Sequence, residues 1–403
     1  MGSIVAFAVV LHVWVGWRLA PALAPFVPAS TLLWLTLGLS AVLMPAAFMM
    51  RRRHHGPVAM LVIWAGLLCS GLFSTLFVLT VLRDAMLVLA LVLALLGALA
   101  GMDAGWLGAL QSWSALAIPV LGLAATLLGF WTARRTARVV RVDVPIAGLP
   151  AALHGFMVAQ ISDVHVGPTI KRAYVERVVA RVNTLGADMV AITGDLIDGT
   201  VGELRDHVAP LAKLVSTHGS FFVTGNHEYY SGAQAWITEL RRLGIDVLLN
   251  EHRVLRHDGG ASIVLAGVTD FSAGHFDESQ RSDPVAALAG APAKAAMRLL
   301  LAHQPRSAPA AAQAGFDLQM SGHTHGGQFW PWMYFVRLQQ PFVAGLDRLG
   351  TMWIYTNRGT GYWGPPQRFG VPSEITCLRL VTAPAAAARR DGADYPPRRP
   401  PAP

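Results

Sequence analysis

Charge is scarce and unevenly placed. Only 14% of the 403 residues are Asp, Glu, Lys or Arg, against roughly a quarter in ordinary soluble domains. Between residues 1 and 132 the charged residues are Arg18, Arg51, Arg52, Arg53, Arg83, Asp84 and Asp103, and acids and bases become frequent only after Arg134. That excludes a uniformly soluble chain: a membrane part precedes a soluble part. Cysteine is nearly missing. Cys69 and Cys377 are the only two and have no metal or redox spacing, so there is no disulfide framework. No basic stretch precedes the first apolar run and several more runs follow, which disfavours a cleaved signal peptide. No internal repeat is visible. Nor does any stretch interleave clustered Lys or Arg with aromatics, so the net charge of +8 points to anionic lipid beside the membrane rather than to nucleic acid.

What is abundant is apolar sequence, 53% of the chain. Runs at about 3–22, 31–50, 58–82, 85–101 and 113–132 each approach the roughly 20 residues that cross a hydrocarbon layer. Five spans are expected, making residues 1–132 a multi-pass helical membrane region. The fourth run is the shortest, and the Arg83 and Asp84 turn before it leaves little loop. With five spans the basic clusters "RRRHH" (51–55) and "ARRTARVVR" (133–141) fall on opposite sides. Counting bases near span ends, Arg18, Arg83, Arg134, Arg135, Arg138 and Arg141 outnumber Arg51, Arg52 and Arg53, which places the soluble domain in the cytoplasm.

Residues 133–155 read as a basic juxtamembrane linker, 156–382 as the soluble domain, and 383–403 as a Pro- and Ala-rich disordered tail. Within the soluble domain, "FMVAQIS", "DMVAIT", "SFFVT", "SIVLAGV", "RLLLA" and "FDLQMS" read as buried strands. "KRAYVERVVARVNTL" carries its apolar residues at helical spacing. The alternation predicts an α/β domain with helices packed outside its sheets.

Almost every one of these strands ends in side chains suited to metals. In order they are "SDVH" with Asp163 and His165, "TGDLID" with Asp195 and Asp198, "TGNHE" with Asn226, His227 and Glu228, "AHQP" with His303, and "SGHTH" with His323 and His325. Ligand types at the C-terminal ends of successive strands converge on one rim of an α/β sheet. Taken singly each is weak: Asp195 suits a helix cap, Asn226 a turn, and His303 a satisfied polar site. Their joint occurrence after five strands is what points to a metal site.

Together these motifs, D-x-H, G-D, G-N-H-[DE], a lone H and G-H-x-H in that order, resemble the calcineurin-like metallophosphoesterase family. "GHTHGGQFWP" and "NRGTGYWGPPQRFGVPSEI" look like its bacterial membrane-associated YkuE/YaeI-like subgroup. The resemblance implies a four-layer α-β-β-α sandwich and a dinuclear site. One metal would be held by Asp163, His165, Asp195 and His325, the second by Asp195, Asn226, His303 and His323, with Asp195 bridging. Mixed oxygen and imidazole donors suit manganese, iron or zinc. His227 would serve as general acid or charge stabiliser on the leaving oxygen. Glu228 would orient it or be a surface carboxylate, and Asp198 would support a ligand from behind or be a turn acid. Arg368 would face the substrate phosphate or lie on the surface. The expected activity is hydrolysis of a phosphoester or pyrophosphate on a small molecule or a lipid-linked substrate, UDP-diacylglucosamine being one family-based candidate. The competing reading is a transporter or sensor whose phosphoesterase-like domain regulates it, which requires buried ionisable residues within the spans. Nothing in the sequence sets an oligomeric state.

Overall fold

A computed structural model describes residues 2–25, 27–51, 56–99 and 102–383. The chain divides into two compact units: Met1–Thr132 with Gly364–Phe369, and Ala133–Trp363 with the sequence from Gly370 onward.

The first unit holds α1 (Gly2–Leu23), α2 (Val27–Met50), α3 (Pro57–Leu99) and α4 (Trp106–Arg134). All four are long and apolar enough to cross a membrane. The expectation of five spans is corrected here: the third and fourth apolar runs form one helix of 43 residues, about 65 Å at 1.5 Å per residue. No Gly or Pro occurs between residues 72 and 96, so nothing stops the helix. Arg83 and Asp84, read as a turn, are instead satisfied inside the unit. Arg18 forks onto Asp84 with two contacts of 2.8 Å, and Arg83 reaches Asp84 at 3.2 Å, Ser114 Oγ at 3.0 Å and the Gln111 carbonyl at 2.9 Å. A small residue sets the packing elsewhere: a Cβ on Gly66 would overlap Leu43 O and Ala47, so α3 lies directly on the backbone of α2.

The second unit is built from two six-stranded sheets. In chain order its elements are β1 (Arg138–Ile146), β2 (Met157–Ile161), α5 (Arg172–Asn183), β3 (Met189–Ile192), α6 (Val201–Val208), β4 (Ser220–Phe222), α7 (Asn226–Ser231), α8 (Ala233–Arg242) and β5 (Asp246–Val247). There follow β6 (Glu251–Arg256), β7 (Ser262–Gly267), β8 (Met297–Leu301), α9 (Ala308–Ala314), β9 (Leu318–Ser321), β10 (Gly345–Leu349), β11 (Met352–Thr356) and β12 (Glu374–Thr382). One sheet runs β1-β12-β2-β3-β4-β5 and the other β10-β11-β9-β8-β7-β6. Strands β2 to β5 are mutually parallel, as are β11, β9, β8 and β7.

Strand alternation distributes the core. Val158, Met189 and Phe221 of the first sheet meet Leu265, Leu299, Leu301 and Met320 of the second. On the outer faces, Ala159, Ile161 and Val190 pack under Tyr174, Val178 and Trp236 of α5 and α8, while Ala266 and Leu300 pack under Ala308 and Ala311 of α9. The result is the expected α-β-β-α order of layers.

The basic linker expected at 133–155 is also corrected. Residues 138–146 form β1, parallel to β12 in full register, with Val144 and Ile146 in the inter-sheet core. Its arginines sit on an edge strand, where charge deters pairing with other chains. The expected tail lies outside the described residues beyond 383.

Candidate metal centre

Each expected ligand sits just past a parallel strand. Asp163 and His165 follow β2, Asp195 follows β3, Asn226 opens α7 after β4, His303 follows β8, and His323 and His325 follow β9. The structure brings Asp163, His165, Asp195, His303, His323 and His325 together, and Asn226 opens α7 next to His227, whose N–H donates to Asp195 Oδ1 at 2.8 Å. His165 Nε2 lies 3.0 Å from His325 Nε2, and His325 Nε2 lies 3.5 Å from Asp163 Oδ1. His323 Nδ1 lies 3.2 Å from His303 Nε2, which is 3.1 Å from Asp195 Oδ2. The same Asp195 oxygen is 3.9 Å from His165 Nε2. Asp163, His165 and His325 thus form one group able to hold a cation, and Asp195, His303 and His323 another.

The donor geometry fits metal ions. Donors about 2.1 Å from one cation stand about 3.0–3.4 Å from each other along the edges of an octahedron or tetrahedron, a range that holds the contacts of 3.0, 3.1 and 3.2 Å and that the 3.5 Å contact just exceeds. Asn226 Oδ1 is buried with no hydrogen-bond partner, an expensive state for an amide oxygen that a cation would relieve. His303 Nδ1 is 2.7 Å from the Thr193 carbonyl. Donating there leaves Nε2, which faces Asp195, as the atom that would meet a cation once its proton is displaced.

Local backbone geometry carries these side chains to the rim. Asp163, His165, Asp195, His323 and His325 all have φ between 50° and 70°, the left-handed region that L-residues seldom adopt. Two glycines permit the close approach of the loops. A Cβ on Gly225 would overlap the Asp195 carboxylate, and one on Gly322 would overlap Ser162 Oγ and the Asp163 carboxylate.

The three supporting residues are resolved differently. Asp198 Oδ1 accepts from His227 Nδ1 at 2.5 Å and lies 3.3 Å from His165 Nδ1, so it backs a ligand and the candidate acid together. Glu228 does not orient the His227 ring. Fully buried, it accepts the N–H groups of Asp195 (3.0 Å), Leu196 (2.8 Å) and Gly225 (2.6 Å), tying the β3 and β4 loops together. Arg368 is a buried side chain, not a surface arginine. It is 1% exposed and belongs with the helical unit, its N–H donating to the Gly129 carbonyl at 2.9 Å.

Electrostatics follow from burial among mixed charges. Burial resists ionisation of Asp195, yet His303, His227 and His165 around it hold its carboxyl well below the usual range. Burial also disfavours the charged form of His227, but Asp195 and Asp198 outweigh it and lift the imidazole to about 9. Burial beside cationic His303 drops His323 to about 3, keeping it neutral as a ligand must be. Burial with Asp195 nearby raises Glu228 to about 8 against its three N–H donors.

Several site residues escaped the sequence reading. Buried Gln160 on β2 donates to Thr193 Oγ1 at 2.8 Å and to Ser321 O at 2.9 Å, bridging the two sheets beneath the ligands. The 357–363 loop braces Asp163 from above: Thr360 N donates to Ser162 O at 2.7 Å and Gly361 N to Asp163 O at 3.0 Å. Trp363 stands with its ring 5.8 Å from that of His227, held by two hydrogen bonds to the Gln328 side chain. No spacing signal marks these residues, whose partners are distant in sequence.

Comparison with known proteins identifies the family of this domain. The family model described as Calcineurin-like phosphoesterase matches residues 156–327, a span that contains all seven candidate ligands. An uncharacterized metallophosphoesterase of Aquifex aeolicus is 32% identical over 221 residues, covering 54% of this chain and 82% of that protein. The chain belongs to the calcineurin-like metallophosphoesterase family. A zebrafish (Danio rerio) protein named "Transmembrane protein with metallophosphoesterase domain" is 37% identical over 63% of this chain, and YkuE of Bacillus subtilis is 28% identical over 56%. The chain spans about 60% of the zebrafish relative's length.

Proposed function

We propose that this chain is a membrane-anchored, dinuclear metal-dependent phosphohydrolase. The observation that carries the reading is Asp195, whose carboxylate is shared between two imidazole-rich groups, 3.1 Å from His303 on one side and 3.9 Å from His165 on the other. Asp163, His165, His325 and Asp195 would hold one cation, and Asp195, Asn226, His303 and His323 the second. Such a pair supplies an activated water and charge neutralisation for in-line attack on phosphorus. Manganese, iron and zinc all suit this donor set.

The chain's own residues supply the rest. His227 Nδ1 is fixed by Asp198, so Nε2 is the atom that hands a proton to the departing oxygen. Its elevated pKa keeps that proton in place near neutral pH, and bound cations would lower it by repulsion. Glu228 and Gln160 hold the strand-end loops in register. The test is manganese-dependent hydrolysis of bis-p-nitrophenyl phosphate by the full chain in detergent. Activity surviving in Asp195→Ala would refute the mechanism.

The substrate we favour is a phosphate or diphosphate carried on a lipid. Support comes from the short connection, since α4 ends at Arg134 and β1 begins at Arg138, and from exposed Tyr230 and Trp363 beside His227. We place the site in the cytoplasm. With α3 and α4 each crossing once, the clusters at 51–53 and 134–141 share a side, and their conflict under five spans disappears. Transport is the weaker reading because the buried charge in the helical unit is internally paired, Arg18 and Arg83 on Asp84.

A further inference from the structure

The segment between the ligand loop and β10 makes an excursion that the phosphohydrolase reading leaves unexplained. Residues 329–342 read "FWPWMYFVRLQQPF", with two Trp, one Tyr, three Phe and a single charge, Arg337. They form two single-turn 3-10 helices, Trp332–Tyr334 and Val336–Leu338, with no buried side chain in either. Tyr334 is 63%, Phe335 53% and Leu338 83% exposed, an arrangement unfavourable in water. The C-terminal end of the excursion is stitched to neighbours of the ligands. Thr324, between His323 and His325, donates its hydroxyl to Val343 O at 2.6 Å. Gln340 donates at 3.3 Å to Gln304, the residue after His303.

We propose that residues 329–342 form a bilayer-docking loop, in which Tyr334, Phe335 and Leu338 enter the boundary between headgroups and acyl chains and seat the ligand loops at the membrane surface. The composition argues for this occupant over a protein partner. Trp and Tyr are the residues that concentrate at the membrane interface, and a lone arginine among aromatics can extend to lipid phosphate. The chain also supplies the surface, because the sheet begins four residues after an apolar helix ends. A weak insertion suffices when the tether keeps the local concentration of bilayer high. Seated there, the site takes phosphate groups at headgroup depth. The inference rests on the membrane anchoring in the proposed function, not on the catalytic chemistry.

The test uses the full chain with Cys69→Ala and Cys377→Ala, carrying either Leu338→Cys or Tyr334→Cys and labelled with an environment-sensitive fluorophore. Val215→Cys, an exposed position of the same unit, is the control. The protein is reconstituted in vesicles of phosphatidylethanolamine with a minority of phosphatidylglycerol. Doxyl-labelled lipid should quench the loop labels roughly twofold or more beyond the control, and aqueous iodide should quench them less. Loop labels as open to iodide as Val215 would overturn the proposal. So would labels shielded from both quenchers, which would mean that protein covers the loop. Repeating the measurement in Asp195→Ala separates the two readings, since insertion does not require hydrolysis.

Discussion

Five candidate ligands hang from left-handed backbone, a conformation costing an L-residue about 1–2 kcal/mol relative to its ordinary region. The strain aims the side chains: a residue flipped to positive φ directly after a strand projects along the rim instead of continuing the alternation. In metal-free protein, His325→Gly should therefore be more stable than His325→Ala by about 1 kcal/mol, read as a higher melting temperature. Equal stabilities would mean that the φ of 52° is not held in solution. Glu228→Gln gives a second outcome. One amide oxygen cannot accept all three N–H groups, and the new NH2 would face a donor. We expect metal affinity to fall about 10–100-fold while stoichiometry at saturating metal is unchanged, measured by metal titration. His227→Asn should cost about 100-fold or more on alkyl phosphates and much less on p-nitrophenyl esters, whose leaving group needs no proton. The ligands were legible in the sequence because each is a metal-binding type following an apolar strand. Gln160, Thr360 and Gln328 were not, because a polar residue shows its role only through a partner far along the chain, as Gln160 does with Ser321.

Secondary structure was legible for most strands buried on both faces, although interior β11 and β12 were not read. The continuous apolar runs of β2, β3, β7, β8 and β9 announced themselves, and α5 showed its helical period. Edge strands did not: β6 reads "EHRVLR" and β10 "GLDRL", with the charge that protects an open edge and masks its alternation. β1 was hidden in the same way, and its arginines were taken for a linker. That reading has a measurable consequence. Val144 and Ile146 are buried between the sheets, each contributing roughly 1.5–3 kcal/mol, and β1 also covers one side of β12. A fragment starting at residue 133 should therefore stay soluble and melt cooperatively, whereas one starting at residue 156 should aggregate or melt many degrees lower. Similar melting of the two would show β1 to be dispensable.

At the scale of the whole molecule, membrane topology turns on whether the 43 residues of α3 cross once or twice. Two crossings need a reversal near Arg83 and Asp84, where the sequence offers no Gly or Pro and both side chains are satisfied within a continuous helix. The two crossing numbers differ in parity, and parity decides which side residues 51–55 take relative to the phosphoesterase unit. One crossing puts Arg51, Arg52 and Arg53 together with Arg134, Arg135, Arg138 and Arg141, seven bases on one face, the asymmetry that sets orientation. Reporters active on only one side of the membrane, inserted after His55 and fused after residue 383, should give the same cytoplasmic signal. Opposite signals would require α3 to break in the bilayer. Asp84→Ala sharpens the point, since it strips Arg18 and Arg83 of their shared partner at a cost of about 3–5 kcal/mol. If a single long helix depends on that charge cluster, the variant should lose folded protein in detergent without moving either reporter.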